Sequence, residues 1–168
     1  MTYQRSEDLP VWKAAIALAE GCEDFILAAK ERITWSKRDQ LDRASLSVSN
    51  NIAEGFERGT TNELLNFLYI ARGSAGEVRS MLGYFERRPA LKDLKFQISN
   101  LKSQAESCSR QLRAWADSLQ DSPIKGQCHL NNAVRTREEQ RKKADAFMER
   151  VKAALPDGHP AKRSRKTS

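Results

Sequence analysis

The stretch that decides the fold is residues 91–119, LKDLKFQISNLKSQAESCSRQLRAWADSL. Its apolar residues recur at alternating steps of three and four, at Leu91, Leu94, Ile98, Leu101, Ala105, Cys108, Leu112, Trp115 and Leu119. Because an α-helix turns once in 3.6 residues, this spacing places a single apolar stripe along one side of a helix. The stretch is therefore predicted to be a long amphipathic helix that packs against near-parallel neighbours.

Three earlier segments carry similar stripes, and strand-like alternation is absent from the sequence. The stripe residues are Val11, Ala15, Leu18, Cys22, Phe25 and Ala29; then Leu41, Ala44, Val48, Ile52 and Phe56; then Leu64, Leu68, Ala71, Ala75, Val78, Leu82 and Phe85. Short connections between helices favour antiparallel neighbours. The sequence therefore predicts an all-α fold, an antiparallel up-down-up-down four-helix bundle over residues 6–120.

Helix boundaries are predicted from capping residues and from proline. The third helix is expected to open at Thr60 with Glu63, a capping box, and the second at Ser36 with Asp39. Pro10 suits the first turn of the first helix, because that turn does not need its missing N–H. The run Arg87-Arg88-Pro89 is expected to separate the third helix from the fourth.

Positive charge is concentrated after the predicted bundle. Residues 1–120 hold 17 Lys and Arg against 16 Asp and Glu, whereas residues 121–168 hold 12 against 6. A basic C-terminal extension is predicted at 121–168, partly disordered, with a short helix over 134–155. Such an extension attracts polyanions, nucleic acid first. The alternative is a solvated tail that only keeps the protein soluble.

Several classes of protein are excluded by what the sequence lacks. No window approaches the roughly 18 unbroken apolar residues that span a bilayer, so no membrane association is expected. The N-terminal residues contain no apolar signal region, and a cytoplasmic location is predicted. Three cysteines (Cys22, Cys108, Cys128) and two histidines (His129, His159) show no metal-ligand or catalytic spacing. We therefore expect no catalytic residues, no metal and no cofactor, and the protein is predicted not to be an enzyme.

Three segments resemble a known family in order and in spacing. They are DLPVWKAA at residues 8–15, SVSNNIAEGFER at 47–58 and FLYIARGSAGEV at 67–78. Together they resemble the four helix bundle protein family, also called the 23S rRNA intervening-sequence proteins. Residues 33–38 depart from that family, because they replace its commoner Phe-Pro turn.

The resemblance carries expectations about assembly and partners. It implies a four-helix protomer that forms a ring-like homopentamer. It also points to the related accessory variability determinant proteins of diversity-generating retroelements, which bind a reverse transcriptase and its template RNA without chemistry of their own.

The most specific motif also has a structural interpretation. Asn51 beside the buried stripe needs hydrogen-bond partners, and Glu54 stands four residues before Arg58, the favourable spacing for an ion pair. Gly55 inside a helix costs about 1 kcal/mol relative to alanine, so a close neighbouring helix is expected there. The same is expected of the small residues at 73–76. A contact with a partner molecule is the alternative role for this signature.

Nucleic-acid binding is the leading functional prediction, through sequence-tolerant contacts to phosphate. The protein is predicted to be a homo-oligomeric, RNA-binding accessory protein, such as the accessory subunit of a retroelement reverse transcriptase. The alternative is a protein–protein scaffold that binds no nucleic acid. The candidate nucleic-acid-binding residues are Lys37, Arg38, Arg72, Arg79, Arg87, Arg88, Lys142 and Lys143.

Overall fold

The structure of the protein is a computed structural model that describes residues 3–58, 60–120, 143–144, 146–148 and 150–151. The described residues contain four long helices: α1 at Pro10–Ala29, α2 at Trp35–Glu57, α3 at Thr61–Glu86 and α4 at Lys95–Gln120. Three short 3-10 helices, at Ser6–Asp8, Lys30–Arg32 and Pro89–Leu94, accompany them. The all-α prediction is confirmed for this part of the chain.

The chain divides into two compact units, residues 1–128 and 129–168. The four long helices belong to the first unit. In the second unit, residues 143–144, 146–148 and 150–151 are helical and exposed. They fall inside the helix predicted for 134–155. The remainder of that helix and of the basic extension predicted at 121–168 lies outside the described residues.

The predicted apolar stripes form the core of the first unit. Every stripe position predicted on α1, α2 and α3 is buried, and α1 and α3 each pack against both α2 and α4. Within this core the rings of Phe25 and Phe85 have centroids 5.6 Å apart. Burial of a large apolar side chain contributes about 1.5–3 kcal/mol, so the stripes rather than helix propensity stabilise the fold. None of the described helices combines the length and apolarity needed to cross a membrane.

The fourth stripe differs from its prediction at both ends. Leu91 is buried, but it belongs to the 3-10 helix, where its φ of −117° and ψ of 19° interrupt the helical backbone. Near the other end Ala116 is buried, whereas Trp115 is half-buried. A straight helix drifts by about 20° per heptad against a strict seven-residue repeat, which moves the buried position by one residue.

The start of α2 shows that the capping prediction for Ser36 is wrong. The helix begins at Trp35, and Thr34 is the N-cap residue, with an extended backbone and no side-chain capping bond. Ser36 lies inside the first turn. A capping side chain reaches the free N–H groups only from an extended backbone, so Ser36 cannot cap this helix.

The predicted cap of α3 by Thr60, with Glu63 as its partner, is confirmed. Thr60 Oγ1 accepts a hydrogen bond from the Glu63 backbone N–H at 3.3 Å and donates one to Glu63 Oε2 at 2.6 Å.

Thr60→Ala is therefore expected to lower the free energy of unfolding by about 1 kcal/mol, because the first turn of α3 loses its cap. Ser36→Ala is the matched control and should change the free energy of unfolding by at most a few tenths of a kcal/mol. Urea denaturation of both variants measures the difference. Equal losses in the two variants would contradict the assignment.

Candidate nucleic-acid interface

The connections before α2 and before α4 meet at one end of the helical unit. Arg32 joins them: its Nη1 donates to Asp93 Oδ1 at 2.7 Å and to the Ala90 carbonyl at 3.1 Å. We call residues 30–39 and 84–96 together the basic end. They hold eight Lys and Arg against four Asp and Glu. The fold therefore concentrates positive charge that the sequence distributes over two distant segments.

Tyr84, near the C-terminus of α3, lies close to two cations of the basic end. Lys37 Nζ and the Arg88 guanidinium carbon are each 5.8 Å from the centroid of its ring. Tyr84 is 44% exposed. Two of the predicted nucleic-acid-binding residues are thus brought together around an accessible aromatic ring.

Other cations of the basic end are engaged within the protein. Besides Asp93, Arg32 donates to the carbonyls of Ala28 and Ala29, which α1 leaves open at its C-terminus. Arg38 has a side chain only 26% exposed and lies 4.0 Å from Glu31. Arg32 therefore mainly links the two connections to each other, and most of the Arg38 side chain is inaccessible to solvent.

Two carboxylates of the basic end, Glu86 and Asp93, are held in their ionised form by neighbouring cations. A hydrogen bond from Lys102 holds the pKa of Glu86 below its ordinary value, with smaller contributions from the charges of Lys102, Lys95 and Arg87. A hydrogen bond from Arg32 lowers the pKa of Asp93. Arg87 and Lys95 are exposed at the surface of this end.

The cations predicted on α3 are less available than those around Tyr84. Arg79 forms an ion pair with Glu106, which Arg110 also approaches at 3.7 Å. Arg72 is half-buried, two turns before Arg79 on the same helix. The α3–α4 surface thus has its positive charge partly neutralised.

Of the two candidates in the C-terminal extension, Lys142 lies outside the described residues. Lys143 is an exposed helical residue of the second unit.

The signature residues Asn51, Glu54, Gly55 and Arg58 lie where α2 meets the first turns of α3. Asn51 Nδ2 donates to the Ser47 carbonyl at 2.7 Å and to Ser47 Oγ at 2.9 Å. Arg58 donates to Glu54 at 2.6 Å. The Arg58 guanidinium also lies over the Phe67 ring, 5.2 Å from its centroid. The predicted structural contacts of this motif are therefore present.

Gly55 is buried against α3, as expected. A Cβ built on Gly55 would lie 2.6 Å from Phe67 Cβ. The matching expectation for residues 73–76 is wrong for the two glycines, because a Cβ added at Gly73 or Gly76 would meet nothing within 4 Å among the described residues. Between them, Ser74 Oγ lies 3.1 Å from Ser47 Oγ of α2, and Ala75 is buried. Both glycines face away from the neighbouring helices.

The sequence pattern does not single out the exposed aromatic residues of the basic end. Besides Tyr84, the first residue of α2, Trp35, is 71% exposed, and Phe96 near the start of α4 is 87% exposed. The sequence feature that could have identified them is the short distance to a basic residue. Each aromatic residue stands within four positions of a cation, as in Trp35 before Lys37 and Phe96 after Lys95.

The described residues bring together no group of three or more His, Cys, Asp or Glu side chains that could hold a metal ion. Cys22 and Cys108 are buried free thiols. Burial raises the pKa of the Cys22 thiol from 9.0 to about 12, against a smaller opposing effect of a hydrogen bond with Ser45. Burial also raises the pKa of Cys108.

The raised thiol pKa values predict low reactivity and a stability that falls in alkali. Because the folded pKa of Cys22 exceeds its ordinary value of 9.0, its contribution is complete below pH 9.0 and is lost as the pH rises towards about 12. An alkylating reagent at about pH 8 should leave both buried thiols unmodified in the native protein, since the thiolate is the nucleophile. Peptide mass spectrometry with and without denaturant measures this. Rapid native labelling of Cys22 would contradict it.

A comparison with curated proteins gave no match. The sequence model of one family does match, over residues 7–114, from the start of α1 to near the end of α4. That segment is more than half of the chain and contains the signature residues as well as the basic end. The protein therefore belongs to the 23S rRNA-intervening sequence protein family.

Proposed function

We propose that the protein is a homopentameric, RNA-binding accessory protein that catalyses no reaction. The observation that carries this proposal is the position of Lys37 and Arg88 on an exposed Tyr84 ring at the basic end. Cations that are not engaged by neighbouring carboxylates attract phosphate, and they release counterions when they bind it.

The proposal includes an up-down-up-down arrangement of the four helices. Gln40 of α2 contacts Glu77 of α3, and Ser47, further along α2, contacts Ser74, which comes earlier on α3. The two helices therefore run in opposite directions. In such a bundle the first and third connections share one end. The two basic segments would then form one continuous surface in every protomer, and a ring of five protomers would repeat that surface five times.

A reverse transcriptase of a diversity-generating retroelement is the proposed protein partner. This part of the proposal rests on the resemblance of residues 8–15, 47–58 and 67–78 to the 23S rRNA intervening-sequence proteins, which points to the related accessory variability determinants.

A scaffold without nucleic-acid binding is the second candidate. Leu46 on α2 is 46% exposed and Ile70 on α3 is 51% exposed. Exposed apolar side chains of this size are what another protein chain would cover.

RNA binding at increasing salt tests the proposal, with the full chain and with a chain that ends at Asp121. We expect the affinity to fall steeply between about 50 and 200 mM salt, because several phosphates are contacted. We also expect light scattering to give the mass of a pentamer. Retained binding by the shorter chain would assign the contacts to the helical unit. Absence of binding by both chains at low salt would overturn the RNA proposal in favour of the scaffold.

A further inference from the structure

We infer that the basic end binds unpaired nucleotides, with Tyr84 as the ring on which a base stacks. This inference rests on the proposed RNA binding and names the form of RNA that the surface recognises. Cations alone would attract any polyanion, whether single-stranded or duplex. The aromatic side chains are the feature that distinguishes between these ligands.

The basic end exposes three aromatic side chains that the core does not use. Trp35, Tyr84 and Phe96 come from the start of α2, the end of α3 and the start of α4, which meet at this end. Exposed aromatic rings interspersed with cations are typical of single-strand binding surfaces, because each unpaired base offers a face for stacking. In a duplex these faces are covered by neighbouring base pairs, which leaves mainly the backbone to contact.

The geometry at Tyr84 suits one nucleotide. Both cations lie 5.8 Å from the ring centroid, near the roughly 6 Å limit of a cation–π contact. They are held weakly by the ring, and Tyr84 remains 44% exposed. A base can therefore lie on Tyr84 while Lys37 or Arg88 turns to the adjoining phosphate.

A second tyrosine on the same helix provides a matched control. Tyr69 is 43% exposed, close to the value for Tyr84. It lies four turns earlier on α3, where Gln120 Nε2 donates to its hydroxyl at 2.6 Å. The segments of the basic end do not include it, so its ring is not expected to contact RNA.

The test compares a labelled single-stranded RNA with a blunt duplex of the same sequence, by fluorescence anisotropy on the full chain at one salt concentration. We expect the single strand to bind more tightly than the duplex. Tyr84→Leu should weaken single-strand binding by about tenfold, from the loss of one stacked base, and should leave duplex binding unchanged. Tyr84→Phe keeps the ring and should stay within about twofold of the parent. Tyr69→Leu should change neither affinity.

The outcomes separate the inference from the function on which it rests. Stacking is overturned, while RNA binding stands, if Tyr84→Leu lowers the affinity for the single strand and for the duplex equally, or lowers neither. Stacking is also overturned if the parent protein binds the duplex as tightly as the single strand. If the parent binds neither RNA at low salt, the proposed function fails and the inference fails with it. Phe96→Ala is a second variant in case Tyr84→Leu does not fold, because Phe96 is 87% exposed. It is also expected to weaken only the single strand, and an unchanged affinity would count against stacking.

Discussion

Gly55→Ala is expected to destabilise the protein by about 2 kcal/mol, although alanine is the better helix former. The added methyl group would lie 2.6 Å from Phe67 Cβ and 3.2 Å from Leu64 Cδ1. Because Phe67 Cβ is fixed to the backbone of α3, no side-chain rotation relieves this clash, and the two helices must separate. Urea denaturation should show a lower midpoint with an unchanged slope.

Two other glycines provide graded controls for this substitution. A Cβ at Gly21 would lie 2.7 Å from Leu101 Cδ2, the movable end of a side chain, so Gly21→Ala should change stability by less than about 1 kcal/mol. Gly76→Ala adds a methyl group in open space and should raise stability by about 0.5–1 kcal/mol. Light scattering of each variant checks that assembly is unchanged. A stabilising Gly55→Ala would contradict the close packing of α2 on α3.

Removal of the two cations at Tyr84 is expected to have the largest effect on RNA binding. The double variant Lys37→Gln, Arg88→Gln should weaken binding of a single strand by about tenfold or more, because two phosphate contacts are lost. The slope of log affinity against log salt should decrease in magnitude by about 0.7 for each lost contact. Titrations at three or more salt concentrations measure both quantities.

A double variant on the α3–α4 surface removes the same charge from a different place. In Arg79→Gln, Lys102→Gln, both replaced cations are already paired, Arg79 with Glu106 and Lys102 with Glu86 at 2.7 Å. We expect a smaller loss of affinity and a smaller change in salt dependence than at the basic end. Equal losses in the two double variants would show that total charge, rather than the cluster around Tyr84, governs binding.

The accuracy of the boundary predictions varied with how local each signal is. The cap at Thr60 was predictable, because its hydrogen bonds join residues three positions apart. The start of α2 was not predictable, because Ser36 and Thr34 both have hydroxyl side chains that suit an N-cap. Only the folded backbone shows that Thr34 is the extended residue before the helix. Residues 91–94 of the 3-10 helix are predicted to start the fourth helix, because Leu91 and Leu94 continue the spacing of its stripe.

The candidate site was predicted as separate residues and not as a cluster. Lys37, Arg88 and Arg79 were predicted on equal terms from charge alone. The structure distinguishes them by their partners: Arg79 is paired with Glu106, whereas Lys37 and Arg88 lie at Tyr84. Tyr84 itself was missed, because a single tyrosine at a helix end carries no periodic signal.

The sequence alone determined the four helices of this protein and the side of each that is buried, because helix formation and amphipathicity follow from residues three and four positions apart. It also determined the close approach at Gly55, since a glycine inside a helix needs a compensating neighbour. Only the tertiary structure decided which cations are grouped together. The bond from Arg32 to Asp93 spans 61 residues, and whether a charge is neutralised or left to bind a ligand depends on such distant partners, which no local pattern records.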